Sequence, residues 1–225
     1  MPSKPSCLAK YALIFLLAFF QLLFLAQSYA NDLPIIPDGT TNTKLDSAAN
    51  GVPIINIAPP NSSGLSHNKF HNYNVNPAGL IINNSTGNSN QIVKTQIGGL
   101  ITNNPNLANS GSAAIILNEA TGTNRSILNG YTEIAGKQAD LIIANPNGIE
   151  MNGAGFININ KLTAIVGSAK EFNPDAGNLK FNLEGNKNSD NNFLPKITIS
   201  GLGLDVTQVA QTDLVANIME IVAPI

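Results

Sequence analysis

The chain contains no tryptophan, one cysteine and two histidines among its 225 residues, and only 12% of it is charged. Each scarcity removes a class of function. A lone Cys7 cannot form an internal disulfide, so stability must come from packing and backbone pairing. With 12 basic residues against 14 acidic ones there is no basic face for nucleic acid. His67 and His71 stand at i, i+4, which on a helix would be half a zinc site. Their segment, His67-Asn68-Lys69-Phe70-His71, has no cysteine or acidic residue to complete the set and reads as a solvated loop. No metal or other cofactor is expected. Serine lacks the G-x-S-x-G elbow of a hydrolase, and no phosphate-binding or dinucleotide glycine pattern occurs.

Long apolar runs are also scarce, with one exception at the start. Lys4 and Lys10 precede an apolar stretch from Ala12 to Ala26, and Ser28-Tyr29-Ala30 then places small residues where a signal peptidase cuts. Residues 1–30 are expected to be a secretory leader. Cys7 lies before the apolar core and not after it, which argues against a lipoprotein. Cleavage removes Cys7, Lys4 and Lys10, leaving 10 basic and 14 acidic residues, a formal −4, and no second run long enough to span a membrane.

What is abundant is asparagine, 33 residues after position 30. These sit between short Ile/Leu/Val runs that can fill a core. Leu80-Ile81-Ile82-Asn83, Leu100-Ile101-Thr102-Asn103 and Leu141-Ile142-Ile143-Ala144 are near copies. The second and third lead into Asn104-Pro105-Asn106-Leu107 and Asn145-Pro146-Asn147-Gly148. Proline after asparagine keeps the asparagine extended and presets the turn, and Asn and Gly are favoured turn residues. The offset from Leu80 to Leu100 is 20 residues, and from Leu100 to Leu141 it is 41, about two such periods. Short β-branched runs at a fixed period read as a β-solenoid, whose rungs share one core. At that period residues 79–200 hold about six rungs.

Residues 31–78 are punctuated by Pro34, Pro37, Pro53, Pro59 and Pro60 and are assigned to an N-terminal cap, with rungs over 79–225. Residues 171–195 read as a hairpin leaving the stack. In 205–225 the apolar spacing favours a helix slightly over a strand. The chain ends in an apolar stretch without a polar cap, which reads as the front piece of something longer or as a truncated gene product. Glu119, Glu133, Asp140 and Glu150 are the carboxylates of the repeats, and none is paired by sequence as glycoside hydrolysis requires. Asn83, Asn84 and Asn124 match N-x-[ST], a weak signal in so Asn-rich a chain.

Residues 130–167, GYTEIAGKQADLIIANPNGIEMNGAGFININKLTAIVG, closely resemble the amino-terminal secretion domain of filamentous haemagglutinin-type exoproteins, the passengers of two-partner secretion. Residues 104–122 (NPNLANSGSAAIILNEATG), 70–84 and 212–216 carry the likeness over most of 64–222, while Asn217 and Val222 depart from it. The resemblance implies an all-β fold, a right-handed parallel β-helix with an N-terminal cap and an extra-helical hairpin, stranded also near the C-terminus. It implies no enzyme. It implies export through the periplasm to the cell surface or medium, after recognition by an outer-membrane transporter with periplasmic repeats. Host or neighbouring-cell surfaces would be met by sequence beyond this chain. The motif residues carry over as Asn104, Pro105, Asn106 and Leu107, and as Asn145, Pro146, Asn147, Gly148 and Ile149. Pro146 and Gly148 are expected to shape a turn, and the asparagine amides, expected to be exposed, either to shape turns or to contact the transporter. The alternative is a surface β-helix that itself adheres or cleaves polysaccharide.

Overall fold

The computed structural model describes residues 34–88, 90–170, 179–185 and 194–225. The leader expected at 1–30 lies outside the described residues.

The β-branched runs become short strands because such side chains suit a pleated, packed surface. In chain order these are β1 (Ile36–Pro37), β2 (Lys44–Ser47), β3 (Pro53–Asn56), β4 (Leu65–Asn72), β5 (Leu80–Asn84), β6 (Ile92–Lys94) and β7 (Leu100–Thr102). There follow β8 (Ile115–Ala120), β9 (Ser126–Leu128), β10 (Tyr131–Gly136), β11 (Ala139–Ala144), β12 (Ile149–Met151), β13 (Ala154–Ile157) and β14 (Ile159–Ile165). The last are β15 (Ser168–Ala169), β16 (Phe181–Asn182), β17 (Ile197–Ile199), β18 (Leu204–Asp205), β19 (Gln211–Val215) and β20 (Met219–Ile221).

The chain visits three sheets in rotation. Sheet A stacks β4, β8, β11, β14 and β19; sheet B stacks β3, β5, β10, β13 and β18; sheet C stacks β9, β12, β17 and β20. Every pairing within these stacks is parallel. A chain that circles through three sheets and pairs each strand with the preceding circuit is a parallel β-helix. The segment 205–225 supplies β18, β19 and β20, so its helical spacing is overridden by pairing with β13, β14 and β17.

Coil length differs from the 20-residue period. Ile116 stacks on Leu141 and Leu141 on Leu162, steps of 25 and 21 residues. Two coils carry excursions, so Ile82 meets Ile134 after 52 residues and Ile149 meets Ile197 after 48. The run at Leu100–Thr102 is therefore no rung. It pairs antiparallel with β6, and Leu100 is 61% exposed. The Thr95–Gly99 turn (N–H to carbonyl, 2.7 Å) closes that hairpin locally, which costs less loop entropy than travelling round a coil. The second excursion carries the β15–β16 antiparallel pair, of which β16 lies in the segment 171–195 expected as a hairpin and β15 just before it; residues 171–178 and 186–193 lie outside the described residues.

At the N-terminal end β1 runs antiparallel to β4 and β2 antiparallel to β3, covering the first edges of sheets A and B. Strands β3 and β4, within the stretch read as cap, already pair in parallel with β5 and β8. The parallel coil thus begins near Pro53, and within residues 34–78 the strands reversed against it are β1 and β2.

Inward side chains of the three sheets form one core, including Ile82, Ile134, Phe156, Leu141, Ile143, Leu162, Met151 and Ile197. Two smaller clusters lie outside the coil. The β6–β7 excursion places Val93, Ile97 and Ile101 against the outer face of sheet B at Ile54, Ile81 and Ala135. The β15–β16 excursion places Ala169, Leu179 and Phe181 on the outer face of sheet A at Leu65, Leu117, Ile142 and Ile165. Each hairpin covers apolar surface that an outward-facing strand residue would otherwise show to water.

Alternation thus separates neighbours: Leu141 and Ile143 point into the core, whereas Ile142 points out beneath the second excursion. Leu141→Ala is expected to lower the unfolding free energy by about 2–5 kcal/mol. Ile142→Ala should cost less, and urea midpoints at unchanged m-value measure both.

Candidate functional site

The two Asn-Pro-Asn motifs occupy different places on the coil but have the same internal build. In each, the first asparagine caps the turn with its own side chain. Asn104 Oδ1 accepts the Asn106 N–H at 2.9 Å, and Asn145 Oδ1 accepts the Asn147 N–H at 2.8 Å. A backbone bond then closes the turn, from Leu107 N to Asn104 O at 3.1 Å and from Gly148 N to Asn145 O at 3.2 Å. The first motif continues as a single 3-10 turn, Pro105–Leu107, with Asn104 extended before the proline as that residue requires.

The free ends of these amides turn inward, not to solvent. Asn104 is fully buried, and its Nδ2 donates to Asn83 O (2.8 Å) and Ile57 O (3.1 Å). Asn106 Nδ2 donates to Asn42 O (2.8 Å), Ile57 O (3.1 Å) and Asn56 O (3.2 Å), tying the reversed N-terminal segment to the first coil. Asn145 Nδ2 donates to Ser126 Oγ (2.9 Å) and Asn124 O (3.0 Å). Asn147 Nδ2 donates to Gly122 O at 2.8 Å. The expectation of exposed amides is corrected: Asn104, Asn145 and Asn147 are 0, 1 and 6% exposed, and Asn106 is half-buried. At a corner the strand ladder stops, so backbone carbonyls of the coil below lose their partners. An asparagine amide has two donors of the right reach to replace them.

The remaining motif residues divide between packing and backbone. Leu107 and Ile149 are core side chains, Pro146 is buried and Pro105 is exposed. Gly148 has φ of 104°, and a Cβ there would stand 2.9 Å from the Lys196 carbonyl. Both observations demand glycine.

The same use of asparagine recurs where sequence gave no motif. Asn158, the corner between β13 and β14, sits in the left-handed region at φ of 59° and donates to Ile134 O (2.7 Å) and Gly136 O (3.1 Å). Asn84 exchanges bonds with Ala113, accepting its N–H at 2.7 Å and donating to its carbonyl at 2.9 Å, which pins the return of the first excursion. Asn83 and Asn84 are thus buried and bonded, unlike glycan acceptors.

The carboxylates do not converge. Asp140 accepts from Asn160 Nδ2 at 2.7 Å and Glu150 from Arg125 at 3.2 Å on the surface. Glu133 is buried and accepts the Gln96 and Ile97 N–H groups. Glu119 is 5% exposed, accepts the Ala169 N–H at 2.8 Å and lies 2.8 Å from His67 Nε2. His67 therefore sits in strand β4, not in a solvated loop, and it has an acidic partner from the next coil that linear spacing could not reveal. Among the described residues no group of three or more His, Cys, Asp or Glu is placed to hold a metal, and no helix is long and apolar enough to cross a membrane.

Two consequences are measurable. Asn145→Asp keeps the turn acceptor but turns the donors to Asn124 O and Ser126 into a carboxylate facing oxygen, and it should destabilise by about 1–3 kcal/mol or more. Pro105→Ala, on the surface, should stay within about 1 kcal/mol of wild type, and parallel denaturant curves compare them. The second concerns pH. Burial works to raise the Glu119 pKa, but hydrogen bonds from His67 and the Ala169 N–H outweigh it and hold it below the ordinary carboxylate value. Its stabilisation is therefore complete above the unfolded value of about 4.3 and is lost as pH falls through the lower folded value. Amide exchange at Ala169, corrected for intrinsic rate, should accelerate over that acid window, and Glu119→Gln should abolish the dependence.

Comparison with known proteins agrees with this geometry. Residues 34–224 match the family model of the TPS secretion domain. The chain is 48% identical over 187 residues to a 16S rRNA endonuclease CdiA of Enterobacter cloacae, covering 83% of this chain and 5% of that protein. It is 37% identical over 187 residues to filamentous hemagglutinin of Bordetella pertussis, again 83% of this chain and 5% of the relative. The crystal structure of the filamentous hemagglutinin secretion domain superposes with a TM-score of 0.69 at 36% identity, covering 82% of this chain and 56% of that one. The chain thus spans about a twentieth of the length of these curated relatives.

Proposed function

The chain belongs to the TPS secretion domain family, and on that premise we propose that its coil is the targeting module by which a longer exoprotein is recognised in the periplasm by a cognate outer-membrane transporter bearing periplasmic repeats. In this reading it is a binding module and not an enzyme. The observation that carries the finer part is the inward orientation of the motif amides. Asn104 and Asn145 spend both ends of their side chains on their own turn and on the coil below. The motifs therefore serve secretion by building the folded coil, and the transporter reads what that coil presents, or the chain before it closes. Contact with host or neighbouring cells is assigned to the remainder of the exoprotein. The separation of Glu119, Glu133, Asp140 and Glu150 into private hydrogen bonds favours a module without its own glycan chemistry.

A driving force needs no nucleotide site here. Each coil that closes outside the cell buries apolar area and adds a parallel ladder, which favours outward movement.

The test is co-expression of the chain with and without its transporter. The processed chain should reach the medium only with the transporter, with the leader cleaved in both cases. Release without a transporter contradicts the reading. Asn147→Ala should lower folding stability and export together. Normal folding with lost transporter binding would show instead that the transporter reads Asn147 directly.

A further inference from the structure

Glu133 is a buried carboxylate for which neither core packing nor the two motifs has a use. It stands on β10 at an outward position, in register with Ile81 of β5 and Ile157 of β13, and is 4% exposed. Around it the outer face of sheet B is apolar, with Ile54, Ile81 and Ala135. A carboxylate in such a place must find donors. It finds them in the tip of the β6–β7 hairpin. The Gln96 N–H reaches both carboxylate oxygens at 2.8 Å, and the Ile97 N–H reaches Oε2 at 3.0 Å. Thr95 holds that tip in shape, its Oγ1 donating to Gly99 O (2.9 Å) and accepting the Gly98 N–H (3.1 Å). Two successive backbone N–H groups aimed at one anion make a small anion-binding nest, here filled from within the protein.

The hairpin leads directly to the first motif. At its base Asn103 N donates to Gln91 O and Asn103 Nδ2 to Asn88 O, both at 3.2 Å. The next residue is Asn104, which must reach back to Asn83 and Ile57 after a detour that leaves the coil at Asn84. We propose that Glu133 is a positioning residue for the first motif: it latches the hairpin tip onto sheet B so that Asn104 is held where its amide can close the first coil. This rests on the secretion reading above. The donors and acceptors of Asn104 lie upstream in the chain or within its own turn, whereas Glu133 lies downstream, in the coil that carries the second motif. The latch therefore couples the two motifs, and the first is fully secured only when the coil of the second has formed. A glutamine replaces it only in part: its oxygen at the Oε2 position can accept both N–H groups, but without the charge and with its amide donor facing the Gln96 N–H at the Oε1 position.

The experiment measures backbone amide exchange by NMR in the folded domain and export through the cognate transporter, for wild type, Glu133→Ala, Glu133→Gln, Asn104→Ala and the double variant Glu133→Ala/Asn104→Ala. In Glu133→Ala, Gln96 and Ile97 should exchange about tenfold faster or more, as expected for loss of a charge-assisted bond. Asn106 and Leu107, whose N–H groups report the Asn104 turn, should also accelerate, Ile143 should not, and export should fall several-fold. The double variant should export no worse than Asn104→Ala, since residues acting through one another are not additive. If Glu133→Ala loses protection at Ile143 as well, Glu133→Gln, which keeps the volume, decides: acceleration at Gln96, Ile97, Asn106 and Leu107 supports the latch. Unchanged exchange at Asn106 and Leu107, or export losses that multiply in the double variant, overturns it. A wild-type chain that the transporter does not export sinks the secretion reading instead, and the exchange data then judge the latch alone.

Discussion

Everything in this coil depends on what happens to backbone carbonyls at its corners. Along a strand, parallel pairing satisfies them. Where the chain turns between sheets the ladder lapses, and a buried carbonyl without a donor costs as much as a lost hydrogen bond. Asparagine resolves this with one short side chain. Asn104 donates to Asn83 O across the first excursion and to Ile57 O of the coil below, while Asn145 donates to Asn124 O and Asn158 to Ile134 O, 21 and 24 residues back across one coil step. A chain without an internal disulfide or a dense charge network thus obtains its cohesion from amides placed at the corners of the helix. The abundance of asparagine in the sequence follows from that need.

The excursions show a second device built on the same logic. A parallel β-helix has outer faces as well as a core, and two of the three here carry buried apolar clusters. Each is covered by a hairpin that leaves the coil and returns, and each hairpin is gripped through backbone N–H groups by one buried glutamate, Glu133 on sheet B and Glu119 on sheet A. Sheet C lacks such a cover among the described residues and instead shows ion pairs to solvent, Arg125 with Glu150 and Lys196 with Glu220. The module therefore has two covered sides and one polar side, which constrains how a transporter can approach the folded form.

Much of this was legible in the chain. Short Ile/Leu/Val runs between Asn and Gly announced stacked strands, and the two Asn-Pro-Asn turns with the flanking 130–167 stretch announced the family. The period was not legible. Leu100-Ile101-Thr102 copies the rung at Leu80-Ile81-Ile82, yet it lies in a hairpin, because a three-residue apolar run does not say whether its partner is one coil away or one turn away. Likewise the segment His67–His71, polar and Asn-rich, read as a solvated loop, yet it lies in the strand Leu65–Asn72 of the first coil. The direction of the motif amides was equally hidden, since a turn sequence fixes the backbone and not which carbonyls lie beneath it. Glu119 and Glu133 left one faint sign, a lone carboxylate inside an otherwise apolar strand, which a coil with outer hairpins makes intelligible.

The central claim is that the motif asparagines hold the coil together and are not the surface a transporter reads. It is tested most directly by following the side-chain amide protons of Asn104, Asn145 and Asn147 by NMR in the folded domain, free and with the periplasmic part of the cognate transporter. The account predicts slow exchange of all three in the free domain and no change on adding the transporter. Rapid exchange in the free domain, or signals that shift on binding while neighbouring core amides stay fixed, would contradict it.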